Sequence, residues 1–249
     1  MLRSRARIPG LCAIVPLLAG CSGERSDPPA VAATESKKLA DSGAAPRVKA
    51  AMEIELLAEG SQHWQVVKTI AGNAGVEFTE DGVCRILDGE PISAIRYEGP
   101  WELPVTNYEI VYEARRVDGP DFFAALTFPV NSLGSCATFV PGGWGGSVTG
   151  ISCIDDIDAS ANETTSTYNY PAGEWFTFRI EVRPDVLKVW NGSAIIVKAP
   201  LAGKKISLRH GDIEECAPFG LSTYMTVGEV RKIVIRSLDG KPLWKRSLE

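Results

Sequence analysis

Period-two alternation broken by turn residues constrains this chain more than any other feature of its sequence. Phe176, Phe178, Ile180 and Val182 alternate with Thr177, Arg179 and Glu181. Successive side chains on a strand point to opposite faces, so this pattern gives one buried face and one wet face. The apolar runs 187–190 and 195–197 flank Asn191-Gly192. Both residues of that pair tolerate positive φ, which predicts a type I′ hairpin turn. Runs 108–117 and 122–128 are a further pair of strand candidates, joined by Asp118-Gly119-Pro120-Asp121. Runs 92–97, 219–224 and 230–238 complete the set. No long helical period and no internal repeat is visible. The expectation is an all-β chain folded as an antiparallel sandwich or jelly roll.

The N-terminal segment differs. Arg3, Arg5 and Arg7 precede an apolar run, 11–18, in the layout of a secretory signal peptide. The run is too short for a spanning helix, which needs roughly 20 apolar residues, and Pro16 interrupts it. Leu18-Ala19-Gly20-Cys21 places a branched apolar residue and two small residues before Cys. This resembles the lipobox of bacterial lipoproteins. The resemblance implies removal of residues 1–20, acylation of Cys21, and a domain held by lipid at a bacterial cell envelope, facing the periplasm or the cell surface. Residues 21–50 are rich in Ala, Ser, Pro and charge without an apolar period, and read as a flexible tether. Residues 51–249 are then the folded domain, a length that suits one large all-β unit. The net charge of −5 becomes −8 once the three arginines of residues 1–20 are gone, so the basic footprint of a nucleic-acid binder is absent.

Export makes disulfides possible among Cys84, Cys136, Cys153 and Cys216, with three pairings open and buried free thiols the alternative. No Cys-x-x-Cys spacing is present, which disfavours a thiolate zinc site. The chain has two histidines, so a multi-histidine metal site is excluded beyond two ligands. His63, beside Trp64, is a candidate for a substrate cleft, while His210 falls in a loop.

Two stretches can carry chemistry. Gly142-Gly143-Trp144-Gly145-Gly146 leaves an indole unshielded by neighbouring side chains, and an open indole face can stack on a sugar ring. The alternative is a Gly-rich turn whose Trp plugs the end of the sandwich. The second stretch is Asp155, Asp156 and Asp158 followed by Asn162 and Glu163. Hard cations such as Ca²⁺ take six to eight oxygens, so the three aspartates are candidate ligands of a divalent cation. The alternative is a solvated acidic loop. Nucleophile-elbow, phosphate-loop and zinc-protease motifs are absent.

The C-terminal two-thirds resembles the domain family named for 3-keto-disaccharide hydrolases. The matching stretches are Asn107-Tyr108-Glu109-Ile110 with Glu113-Ala114-Arg115, Gly173-Glu174-Trp175-Phe176, and Val189-Trp190-Asn191-Gly192. Phe219-Gly220-Leu221 and residues 230–235 are similar to its last two strands, and residues 56–64 to its opening. Segment 142–165 departs from the commonest form and is similar to a planctomycete-type subgroup. The resemblance implies a concanavalin A-like jelly-roll sandwich of two antiparallel sheets. It also implies action on glycosides oxidised at C3, where a base removes the C2 proton and the glycosidic oxygen leaves before water adds. Glu163 and Asp156 are the candidate catalytic carboxylates, Trp144 and His63 the candidate substrate-binding residues, and a divalent cation on the acidic run would polarise the ketone. A lectin-like glycan-binding lipoprotein without chemistry is the alternative, and a structural envelope protein the third reading.

Overall fold

The computed structural model describes residues 45–247. Cys21, the signal segment and most of the tether lie outside the described residues. The strands, in chain order, begin with β1 (Arg47–Ala51), β2 (Glu53–Glu55), β3 (Trp64–Val66), β4 (Val76–Phe78), β5 (Cys84–Ile86) and β6 (Ile92–Tyr97). The long β7 (Tyr108–Asp118) is followed by β8 (Ala125–Ser132), β9 (Ser135–Gly142), β10 (Val148–Ser152) and β11 (Ser166–Thr167). Last come β12 (Phe176–Val182), β13 (Val186–Asn191), β14 (Ala194–Pro200), β15 (Gly220–Tyr224), β16 (Val227–Ser237) and β17 (Leu243–Arg246).

One antiparallel sheet runs β14-β13-β12-β7-β16-β5-β4, with β2 also on β16. The other runs β11-β10-β9-β8-β15-β6-β3, and β1 pairs with β17 in a separate ribbon. Among the described residues the first strand therefore starts at Arg47, inside the span read as tether. β7 and β8, adjacent in sequence, lie in opposite sheets, so residues 119–124 carry the chain across the sandwich.

Alternation explains the layers. Tyr108, Ile110, Tyr112 and Ala114 of β7 are fully buried, as are Phe178, Ile180 and Val182 of β12. They meet Leu126, Phe128, Phe139, Ile151 and Leu221 of the other sheet in one core. Phe178 sits at its centre, with ring centroids 5.2 Å from Phe139 and 5.4 Å from Tyr112. Each such side chain contributes about 1.5–3 kcal/mol on leaving water. The opposite face of the eight-stranded sheet carries cross-strand ion pairs. Register sets Glu113 opposite Arg231, Glu109 opposite Arg236 and Glu229 opposite Arg115, which is where opposite charges stabilise a sheet. Arg115 and Arg231 enclose the Trp175 ring, with guanidinium carbons 4.7 and 4.1 Å from its centroid.

The β13–β14 turn corrects the sequence expectation. Asn191 pairs with Ala194 in the ladder, so the two loop residues are Gly192 and Ser193. Gly192 has φ 56°, and Ser193 is not among the positive-φ residues. A type I′ turn needs positive φ at both central positions, so this is not one. That φ pattern occurs instead at Asp155 (52°) and Asp156 (62°), between Ile154 and Ile157, whose backbones bond to each other in both directions. All four described cysteines are buried free thiols, which settles the pairing question in favour of the core alternative.

Candidate functional site

The inward direction of Leu126, Phe139, Ile151 and Leu221 dictates that their neighbours face away from the core. Ala125, Thr138, Val140, Ser152 and Tyr224 therefore sit on the outer face of the seven-stranded sheet. With Ile92 they form the floor of a cavity of about 240 Å³. Its walls come from three separate segments: Asp121 and Phe122 from the crossing after β7, Trp144 from the β9–β10 loop, and Arg209 and Ile213 from the segment before β15. Drug-sized pockets span roughly 300–1,000 Å³. This smaller cavity has room for one compact ring.

The wall at Trp144 is built against the intrinsic preference of the backbone. Trp144 has φ 48° and ψ 55°, the left-handed region that costs a bulky residue roughly 1–2 kcal/mol. Asp121 holds it there. Its Oδ1 accepts the backbone N–H of Phe122 at 2.9 Å and of Trp144 at 3.1 Å, and its Oδ2 accepts that of Gly145 at 2.8 Å. From the other side the half-buried Arg116 donates to the carbonyls of Gly142 at 3.3 Å and Gly146 at 2.9 Å. Gly142 has φ 71°, and a Cβ there would lie 2.7 Å from the Arg116 guanidinium. Two charged side chains thus clamp a loop whose glycines permit the turn, and Trp144 is left 39% exposed. Strained residues held this firmly cluster at binding and catalytic sites. Trp144 is therefore a rim residue, and the reading of it as a buried plug is corrected.

Arg209 faces Trp144, with its guanidinium carbon 5.8 Å from the ring centroid. Asp158 orients it: Oδ2 pairs with Arg209 Nη1 at 3.3 Å, while Oδ1 accepts from Ser152 Oγ at 2.8 Å and Cys153 Sγ at 3.3 Å. Asp158 is thus a positioning residue behind the cavity wall.

The remaining sequence candidates lie elsewhere. Asp155 accepts from the backbone N–H of Lys205 and from Lys204 Nζ, both at 2.9 Å. Asp156 pairs with Lys205 Nζ at 2.8 Å and accepts from Ser207 Oγ at 3.1 Å. Glu163 pairs with Lys204 Nζ at 3.0 Å. The Lys205 N–H, followed by Lys204, holds the Asp155 carboxyl below the usual range, Lys205 does so for Asp156, and Lys204 for Glu163. Lowered pKa values make Glu163 and Asp156 weaker bases, and neither lines the cavity. The acidic run does not suit a divalent cation. Its carboxylates are paired with Lys204, Lys205 and Arg209, Asp155 sharing Lys204 with Glu163, and no three His, Cys, Asp or Glu side chains converge among the described residues. Asn162 is buried, bonding the carbonyls of Ile151 at 2.7 Å and Ile157 at 2.9 Å, and braces the loop. His63 bonds Glu59 Oε2 at 2.6 Å and packs edge-on to Tyr97, away from the cavity.

Sequence reasoning singled out Trp144 and missed Asp121, Arg209 and Tyr224. Asp121 carried a signal, since an Asp after Gly-Pro is free to cap backbone N–H groups of a nearby loop, but it read only as turn chemistry.

No protein-family model matches the chain, and no curated protein matches it. Among solved structures it is similar to the Crh5 transglycosylase in complex with NAG, at 10% identity and TM-score 0.52, covering 79% of this chain and 89% of that one. The fold is a jelly-roll sandwich. The chain is also similar to a prokaryotic β-1,3-1,4-glucanase (lichenase) derived from a mouse hindgut metagenome, at 9% identity and TM-score 0.48, covering 75% of this chain and 98% of that one. A third likeness is to the carbohydrate binding module CBM66 from Bacillus subtilis, at 14% identity and TM-score 0.43, covering 70% and 96%. At these identities the likeness is one of fold.

Proposed function

We propose that this jelly roll binds a saccharide, one ring of which enters the cavity beneath Trp144. The observation that carries the reading is the clamp on Trp144. Asp121 and Arg116 hold an exposed indole in a costly conformation over a concave, mostly apolar floor. Sugar rings present C–H faces to an aromatic platform and hydroxyls to a few polar groups, which matches such a surface. The Crh5 transglycosylase, with the same architecture, is in complex with NAG. Fold alone does not carry function, so the argument rests on the cavity.

Binding without chemistry is favoured over glycoside hydrolysis by the carboxylates. Hydrolases commonly use two, flanking the scissile bond. Among the described residues lining the cavity, Asp121 is the sole carboxylate, and three backbone N–H groups already engage it. The 3-keto-glycoside reading has one supporting observation, that Asp121 and Arg209 line the same cavity. A carboxylate to take the C2 proton and a guanidinium to hold the enediolate oxygen are the groups that elimination requires. Lipid attachment at Cys21 completes the proposal and places the domain at a bacterial envelope. A Cys21→Ala chain should leave the membrane fraction for the soluble one.

The test is calorimetric titration of the full chain with a panel of oligosaccharides, run beside aglycone release from a 3-keto-glucoside and its unoxidised parent. Saccharide binding without release supports the binding reading. Release from the keto compound alone, lost in Asp121→Asn, replaces it with the eliminating hydrolase. Neither binding nor release removes both.

A further inference from the structure

The hydrogen-bonding groups of the cavity are unbalanced. Its one carboxylate is engaged: Asp121 receives three backbone N–H groups, and the Thr138 hydroxyl is paired with Thr127 at 2.9 Å. The Ser152 hydroxyl donates to Asp158. Its donors are left over. Arg209 pairs with Asp158 through Nη1 at 3.3 Å, and its Nε and Nη2 make no hydrogen bond among the described residues. The Trp144 indole N–H and the Tyr224 hydroxyl make no hydrogen bond among the described residues, although both side chains line the cavity. A neutral sugar hydroxyl donates as readily as it accepts, whereas an ionised carboxylate only accepts. The guanidinium of Arg209 and the indole N–H of Trp144 only donate, which suits the second.

We infer that the saccharide bound here carries a carboxylate, as a uronic acid does, and that Arg209 receives it. The inference rests on the saccharide reading of the cavity. A guanidinium presents a planar fork that matches a carboxylate with two parallel bonds. Asp158, itself fixed by Ser152 and Cys153, occupies one arm of the guanidinium and leaves the rest free to turn toward the ligand. The carboxylate of a uronic acid is attached directly to the pyranose ring. A ring stacked on Trp144 therefore brings it within reach of a guanidinium whose carbon is 5.8 Å from the indole centroid. The negative charge of Asp121 opposes an anionic ligand, but its oxygens are turned onto three backbone N–H groups of the loop.

The experiment is calorimetry on the full chain with galacturonate, glucuronate and mannuronate oligosaccharides, each beside its methyl-esterified form. Esterification keeps the ring and removes the charge. At least one acid should bind roughly tenfold or more tightly than its ester, the scale of a charge-assisted bond. That ratio should shrink with added salt, fall to about one in Arg209→Gln, and recover in part in Arg209→Lys. Equal binding of acid and ester overturns the inference while leaving the saccharide reading intact, as does binding of neutral oligosaccharides alone. Tighter binding of a sulfated oligosaccharide than of any uronate overturns the carboxylate assignment. Absence of all binding removes the saccharide reading itself, and the inference with it.

Discussion

Replacing Asp121 by Ala should unseat Trp144. The substitution deletes acceptors for three backbone N–H groups, at 2.8, 2.9 and 3.1 Å. A hydrogen bond to a charged group contributes about 1.5–3 kcal/mol. Asp121 is only half-buried, so water recovers much of this, and the net loss should be near that of one bond, about 2 kcal/mol. For a domain of this size that lowers the unfolding midpoint by roughly 4–8 °C. The larger effect should be on binding, because a left-handed Trp that is no longer held must be reordered by the ligand, and affinity should fall by about tenfold or more. Asp121→Asn should lie between. Its amide oxygen can keep the bonds to Phe122 and Trp144, while its NH₂ group confronts the N–H of Gly145. Urea unfolding followed by circular dichroism, with near-ultraviolet dichroism reporting on Trp144, measures the first effect, and calorimetry with a bound oligosaccharide the second. An Asp121→Ala chain within about 0.5 kcal/mol of wild type and unchanged in affinity would refute the clamp.

Three further outcomes follow from the packing and the charges. Phe178→Ala, at the centre of the aromatic core with five rings around it, should cost about 3–5 kcal/mol in urea unfolding. Burial pushes the Glu229 carboxyl up, but hydrogen bonds from Arg115 and Arg85 outweigh it and hold the group below 4.5. Its contribution is therefore present above the unfolded value and lost as pH falls through the lower, folded one, so the stability gap between wild type and Glu229→Gln should be widest near neutrality and narrow as the medium is acidified past the ordinary carboxylate range. The buried thiols should resist a thiol reagent at pH 8 until the chain unfolds, because burial pushes Cys216 up to about 12 and Cys136 up to about 11.

The strands were legible because alternation is a local signal, and β12, β6 and β16 fall where the apolar periods place them. The Asn191-Gly192 turn shows the limit of local reading. One residue of register, fixed by the pairing of Asn191 with Ala194, moved the turn to Gly192-Ser193. Trp144 was legible because its glycine neighbours are adjacent in sequence. The rest of the cavity was not, because Asp121 and Arg209 reach Trp144 only after the chain has crossed between sheets and returned. The acidic run was misleading for the same reason. Lys204 and Lys205, about fifty residues away, neutralise Asp155 and Asp156, and no spacing within the run reveals them. His63 beside Trp64 invited a cleft, whereas the fold turns it toward Glu59 and Tyr97.

The measurement that bears most directly on the account is the calorimetric affinity of the full chain and of Trp144→Ala for one oligosaccharide bound by the wild type. Trp144 is exposed at the rim and contributes little to the core, so the variant should unfold at the wild-type midpoint. Its affinity should nevertheless fall by about tenfold or more, since an aromatic platform is commonly worth 0.5–1.5 kcal/mol beyond its buried area. Wild-type affinity in Trp144→Ala would contradict the assignment of the saccharide site to this cavity.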